Sequence, residues 1–263
     1  MTTTSLLLIG GGNMGMALAQ CWLDAFENLD LTIAETNPER RAALQAQGFH
    51  APDELELPDD GFDAIILAVK PQGFSALLPQ LQQVAGESTI ISIMAGITLK
   101  QLSAINPHVA RVMPNTPVSI AEGMSAICAP ALDDDRLALV KELFGATGHI
   151  VMLDDEAQMH DVTAISGSGP AYVFAFMEAL EAAAMHLGLD ATTARALVVQ
   201  TVRGAALLAD AHSGDAATLR TQVTSPGGTT QAALKQLETH DLSGAVAAAV
   251  KAARARSEEL AQA

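Results

Sequence analysis

The apolar run Leu6-Leu7-Leu8-Ile9 leads without a spacer into Gly10-Gly11-Gly12-Asn13-Met14-Gly15, and a helical pattern opens at Asn13. Few local sequences restrict a fold so tightly. A strand that ends in G-x-G-x-x-G and opens a helix begins a dinucleotide-binding β-α-β unit. Gly10 permits the tight turn, Gly12 lets a pyrophosphate approach the backbone, and Gly15 lets the helix pack on the strand. The free N–H groups and the dipole at that helix start suit an anion. The expected contacts are Gly10, Gly12, Asn13, Met14 and Gly15. The blander reading is a glycine-rich strand–helix turn with no ligand.

The pattern continues for the first half of the chain. Short β-rich runs at 6–9, 31–34, 64–69, 89–94 and 110–113 alternate with helical stretches such as 13–26 and 38–47, and 126–128 and 149–153 add two more runs. This alternation implies a parallel, doubly wound sheet. Around Asp154-Asp155 it stops, and the remainder reads as helix: 171–187, 191–211, 231–237 and 242–261. The expected fold class is therefore α/β: a Rossmann-like sheet domain over 1–153, then an all-α domain over 154–263. The long Ala/Leu/Val helices of the second part would expose much apolar surface if isolated, so a second copy of the chain is expected to cover them.

Hydrophobic residues make up 49% but aromatics only 3%, so Ala, Leu, Val, Ile and Met must pack the core. The formal net charge of -16 argues against nucleic acid and anionic membranes as partners. An acidic protein that binds anions needs local backbone N–H groups and a few placed cations. Cys21 and Cys128 have no CxxC spacing, the histidines have no ligand spacing, and Asp133-Asp134-Asp135 reads as a solvated loop before a helix, so no metal site is expected. The first residues carry no basic charge and the apolar runs are interrupted, so neither a signal peptide nor a membrane span is expected, and the expected compartment is the cytoplasm.

Glu35 stands at the end of the second β-run, where a carboxylate takes ribose hydroxyls and favours NAD. Thr36, Asn37, Arg40 and Arg41 follow, and they suit a 2′-phosphate or form a solvated loop and helix face, the latter being the better reading for Arg41. The two signals conflict, and the reading here favours NADP with NAD as the alternative. Ala68-Val69-Lys70-Pro71 and Met94-Ala95-Gly96 close two further β-runs, where ligands bind in such sheets. Their small residues suit close approach of the nicotinamide and its ribose. Lys70 would touch the cofactor or orient the substrate, or is an ordinary exposed lysine. Asn115, between two prolines, would contact the nicotinamide end or cap a turn.

A second anion site is written at the other end of the chain, in Val223-Thr224-Ser225-Pro226-Gly227-Gly228-Thr229-Thr230 before the helix at Gln231. Free N–H groups and two hydroxyls at one helix start suit a small carboxylate. The alternative is a helix–helix turn in which Thr caps the next helix. Both sites together point to a nicotinamide-dependent enzyme acting on a small acid.

With these pieces in view the chain resembles the pyrroline-5-carboxylate reductase family from end to end. The likeness rests on the glycine loop, Val69-Lys70-Pro71, Ser92-Ile93-Met94-Ala95-Gly96, Arg111-Val112-Met113-Pro114-Asn115-Thr116-Pro117, Ser166-Gly167-Ser168-Gly169-Pro170-Ala171-Tyr172 and Ser225-Pro226-Gly227-Gly228-Thr229-Thr230. It implies reduction of 1-pyrroline-5-carboxylate to L-proline by NAD(P)H, the last step of proline synthesis. It also implies an intertwined homodimer through the helical domain, in some cases assembled into a ring. Ser225, Gly227, Gly228, Thr229 and Thr230 would bind the substrate. Thr230 would hydrogen-bond the ring nitrogen as an orienter and proton relay, and Lys70 is a second candidate catalytic residue. Family members often carry a small or basic residue where this chain has Glu35-Thr36. The rival readings are a reductase of another small cyclic imine and a dinucleotide-binding sensor without catalysis. A β-hydroxyacid dehydrogenase is disfavoured, because no Asn follows Asn115 to partner Lys235 or Lys251.

Overall fold

The computed structural model describes residues 3–54 and 61–262. Seven strands form one sheet: β1 (Thr4–Ile9), β2 (Leu29–Ala34), β3 (Ala64–Leu67), β4 (Thr89–Ser92), β5 (Val109–Met113), β6 (Gly123–Cys128) and β7 (Gly148–Met152), in the order β2-β1-β3-β4-β5-β6-β7. The helices of this part are α1 (Asn13–Ala25), α2 (Pro38–Ala46), α3 (Phe74–Val84), α4 (Leu99–Leu102), α5 (Asp134–Gly145) and α6 (Gln158–Val162). Beyond β2 a single parallel bridge joins Thr32 to His50, with the Ile33 N–H on the His50 carbonyl at 2.9 Å. That bridge stands where a full third strand would lie in a Rossmann order. The winding therefore reverses between β1 and β3, and the loops after these two strands open side by side.

Alternation along the strands buries the sheet on both faces. Leu6 and Leu8 of β1 pack with Leu18 and Trp22 of α1 and with Leu143 and Phe144 of α5, while Leu7 and Ile9 pack with Phe74 and Leu81 of α3 and Leu102 of α4. Each such side chain contributes about 1.5–3 kcal/mol. The Trp22 ring meets Phe144 edge-on at 6.0 Å, and its Nε1 donates to the Leu143 carbonyl at 2.8 Å, so this buried indole leaves no polar atom unpaired.

The sheet is not wholly parallel. β5 and β6 pair antiparallel, and β7 follows β6 in parallel. The connection from β5 to β6 holds only a short 3₁₀ turn, Thr116–Ile120, too short for a parallel crossover, so the chain must double back. β3 and β4 also end earlier than their apolar runs suggest, at Leu67 and Ser92, which releases Ala68–Lys70 and Ile93–Ala95 as loops.

The chain divides into two compact units, Met1–Ser168 with Ala253–Ala263, and Gly169–Ala252. Residues after 153 stay with the sheet because they are bound to it. The Arg111 guanidinium, in mid-sheet, pairs with Glu156 at 2.6 Å, and Glu156 also accepts the Leu99 N–H at 2.7 Å. Met159 and Ala164 are buried, and His160 meets Ser257 at 2.9 Å.

The second unit holds α7 (Gly169–His186), α8 (Ala191–Ala211), α9 (Ala216–Gln222), α10 (Thr229–Thr239) and the first half of α11 (Leu242–Gln262). Among its described residues only Ala194 and Val198 are buried hydrophobics, whereas Phe174 is 59% exposed, Leu207 55% and Leu197 53%. No described helix is long and apolar enough to cross a membrane.

Candidate functional site

The glycine loop is shaped by close packing on one side and open space on the other. Gly10 has φ +108°, and a Cβ on Gly15 would lie 2.5 Å from the Gly10 carbonyl oxygen. Both positions are closed to larger residues by the fold itself. A Cβ on Gly12 would meet nothing within 4 Å. The fold does not need glycine there, and a ligand lying against the backbone would. Gly12 is also the N-cap of α1, with no side chain over the helix start and no acid in its first turn. Its N–H groups are free for an anion.

A cavity of about 360 Å³ opens from this loop. It brings together Gly12, Asn13, Met14, Ala68, Val69, Lys70, Pro71 and Ala95 of the expected site. Met94, from a loop expected to border a ligand, completes it together with Ile93, Met113 and Pro114, which the sequence reading had not assigned to one although they follow or end β4 and β5 at the same edge. The Lys70 ammonium is exposed, with no acidic partner among the described residues. A larger hollow, about 710 Å³, lies around Gly61, Glu87 and Asp133, at the opposite end of the strands from the Gly10–Gly15 loop.

At the end of β2, Glu35 is engaged by its own chain. Its carboxylate is buried and already accepts three hydrogen bonds from its own chain: Asn37 N–H at 2.8 Å, Gly11 N–H at 3.1 Å and the Arg40 guanidinium at 3.1 Å. Burial pushes the carboxyl pKa up, but the Asn37 N–H, Arg40 and the Gly11 N–H outweigh it and hold the group below its ordinary value. Glu35 thus pins the glycine loop to β2. Gly11, passed over in the sequence, is needed here, since a Cβ would lie 2.7 Å from Leu44 and 3.2 Å from the Glu35 carboxylate. Thr36 and Asn37 are exposed, and Arg40 keeps 53% of its side chain exposed. Asn37 caps α2 through the Arg40 N–H at 2.9 Å. Arg41 is held by Asp53 at 2.7 Å and the Glu35 carbonyl at 2.9 Å.

Two expected contacts are occupied by the protein. Gly96, at φ +82°, faces the last turns of α11, where a Cβ would lie 2.9 Å from the Leu260 carbonyl oxygen. Its lack of a side chain serves that packing. Asn115 is buried, and its amide donates to the Ser166 carbonyl at 3.1 Å and accepts the Met124 N–H at 2.9 Å.

In the second unit, the turn before α10 is built by its glycines. Gly227 adopts φ +72°, and a Cβ on Gly228 would lie 2.4 Å from Ser225 Oγ. The Gly228 N–H, expected to face a carboxylate, donates instead to the Ser225 carbonyl at 3.0 Å, and the Gly227 N–H donates to Gln231 Oε1 at 2.8 Å. The donors without an intrahelical acceptor are those of Thr229, Thr230 and Gln231. The helix start again lacks a side-chain cap and first-turn acid.

Comparison with known proteins then decides the family. A curated pyrroline-5-carboxylate reductase from Haemophilus influenzae is 36% identical over 97% of each chain. The chain belongs to the pyrroline-5-carboxylate reductase family. The profile described as pyrroline-5-carboxylate reductase dimerisation matches residues 156–260, and one described as NADP oxidoreductase, coenzyme F420-dependent, matches residues 5–96. The structure of a pyrroline-5-carboxylate reductase from Coxiella burnetii superposes with TM-score 0.88 at 32% identity, covering 98% of this chain and 99% of that one. A Plasmodium falciparum pyrroline carboxylate reductase with NADP bound gives TM-score 0.83 at 28% identity, covering 97% and 99%. Among the described residues no three His, Cys, Asp or Glu side chains gather as a metal site.

Proposed function

We infer that this chain reduces 1-pyrroline-5-carboxylate to L-proline with NADPH. The observation that carries the cofactor assignment is the open backbone at Gly12 beside a cavity rimmed by Lys70, Ala95 and Pro114. The residues fit a dinucleotide: Gly12, Asn13 and Met14 offer N–H groups to the pyrophosphate, and Thr36, Asn37 and Arg40 face the adenosine ribose. Because Glu35 is spent on its own loop, the exposed N–H groups of Arg40 and the Thr36 hydroxyl favour a 2′-phosphate over a bare ribose. Ala68, Val69, Pro71 and Ala95 line the space for the nicotinamide half.

The bound cofactor supplies a hydride to the imine carbon, and a proton goes to the ring nitrogen. The remaining task is positioning, since no nucleophile or metal is required. The Thr229 and Thr230 N–H groups hold the carboxylate, Ser225 adds its hydroxyl, and Gly227 and Gly228 shape the turn. The Thr230 hydroxyl bonds the ring nitrogen and relays a proton from water, because an alcohol is too weak an acid to be the source. Lys70 orients the substrate or the nicotinamide by charge. The apolar faces of α7 and α8 pair with a second copy in an intertwined homodimer. The expected compartment is the cytoplasm.

The test is the carboxylate. Comparing 1-pyrroline-5-carboxylate with 1-pyrroline, kcat/KM is expected to fall at least about a hundredfold when the carboxylate is absent. Equal rates would remove the anion site at Thr229–Thr230 and favour a general reductase of small cyclic imines.

A further inference from the structure

We propose that Asn115 is a positioning residue that fixes the β5 wall of the cofactor cavity from behind, through the Ser166 carbonyl. The inference rests on the cofactor reading above. In a helix the carbonyl of residue 166 would be taken by the N–H of residue 170, but Pro170 has none, and its ring crowds that carbonyl. Upstream the chain answers with a π-type turn, Thr163–Gly167, in which the Ser168 N–H reaches back to the Thr163 carbonyl at 2.8 Å. The Ser166 carbonyl is left as an acceptor without a helical donor, and Asn115 Nδ2 supplies one at 3.1 Å.

The other end of the same amide accepts the Met124 N–H at 2.9 Å, so one planar group joins the β5 end, the β6 start and the π-type turn. Asn115 is 9% exposed, which makes both bonds costly to lose. Met113 and Pro114, just before it, line the cavity, while Asn115 itself does not. Gly167 lets the turn close on this wall: a Cβ there would lie 3.1 Å from Met113 Cε. With the pyrophosphate at Gly12 and the adenosine at the end of β2, the β5 side is the nicotinamide side. The carboxamide supplies one donor and one acceptor, and both are used here. Aspartate would turn a second acceptor on the Ser166 carbonyl, and alanine would strand two buried groups.

The experiment is a binding titration with the full-length protein and no imine substrate, so it is independent of turnover. NADPH fluorescence reports the whole cofactor, and 2′,5′-ADP, which lacks nicotinamide, reports the adenosine end. Asn115→Ala is expected to weaken NADPH about tenfold while 2′,5′-ADP stays within about twofold. Should Asn115→Ala not fold, Asn115→Ser is expected to show the same selective loss at about threefold. Equal weakening of both ligands, or unchanged NADPH affinity in folded protein, would overturn the proposal. A wild-type protein that binds neither ligand would instead sink the cofactor reading itself.

Discussion

The carboxylate of Glu35 accepts the Gly11 N–H of the glycine loop as well as the Asn37 N–H and the Arg40 guanidinium, so its charge state governs the tie between that loop and the end of β2. Its pKa is held below the ordinary value of 4.5 in the folded chain. A carboxyl depressed on folding contributes stability above its unfolded value, and that contribution is lost as pH falls through the folded one. Urea unfolding from neutral pH down through the carboxylate range is expected to show this acid-side loss, and Glu35→Gln is expected to flatten it. An identical acid limb in both proteins would mean that the three bonds do not favour the ionised form. Arg40→Ala is expected to raise the KM for NADPH about tenfold or more and to leave NADH nearly unchanged. Equal effects on the two cofactors would place the 2′-phosphate elsewhere. Thr230→Ala is expected to lower turnover by about ten- to a hundredfold, with NADPH affinity nearly normal. At this scale the sequence was informative wherever chemistry is local: Gly10, Gly12 and Gly15 declare their spacing. It was incomplete at Glu35, whose offset matches a ribose ligand but which also accepts the Gly11 N–H from 24 positions away.

Between elements the decisive contacts join distant residues, and that is where sequence reading fell short. Asn115 and Ser166 are 51 positions apart, and no spacing rule predicts that one amide meets one carbonyl. The reversal at β6 was legible in principle, because the short link after β5 leaves no room for a crossover, but a three-residue apolar run hid a strand of twice that length. α9 escaped notice because its pattern is short and mostly polar, although Asp215 caps it through the Thr218 N–H at 2.8 Å. The tie between β5, α4 and the segment before α6 is Arg111 with Glu156, whose side chains are 8% and 30% exposed. Removing one partner strands a buried charge, so Arg111→Ala is expected to cost about 3 kcal/mol in chemical denaturation. Replacing both residues by Met and Leu is expected to recover most of it. A loss below about 1 kcal/mol for Arg111→Ala would mean that solvent at Glu156 screens the pair.

For the molecule as a whole, the second unit has too little buried surface to account for its own helices. Phe174 and Leu207 are more than half exposed, in keeping with the dimerisation profile matched over 156–260. Sedimentation is expected to give a dimer or a multiple of it, and Phe174→Asp or Leu207→Asp to shift the mass toward monomer. Unaltered mass in both variants would move the interface to another face. The change from alternating strands to continuous helix near Asp154 was plain in the sequence. The extent to which 154–168 stays bound to the sheet was not, since it depends on Arg111 and on the buried Met159.

The most direct measurement follows NADPH oxidation and proline formation together, using purified protein and 1-pyrroline-5-carboxylate, with NADH in a parallel assay. The expected result is proline formed in equal amount to NADPH consumed, faster than with NADH. Folded, dimeric protein that consumes neither cofactor, or consumes NADPH without forming proline, would contradict the assignment.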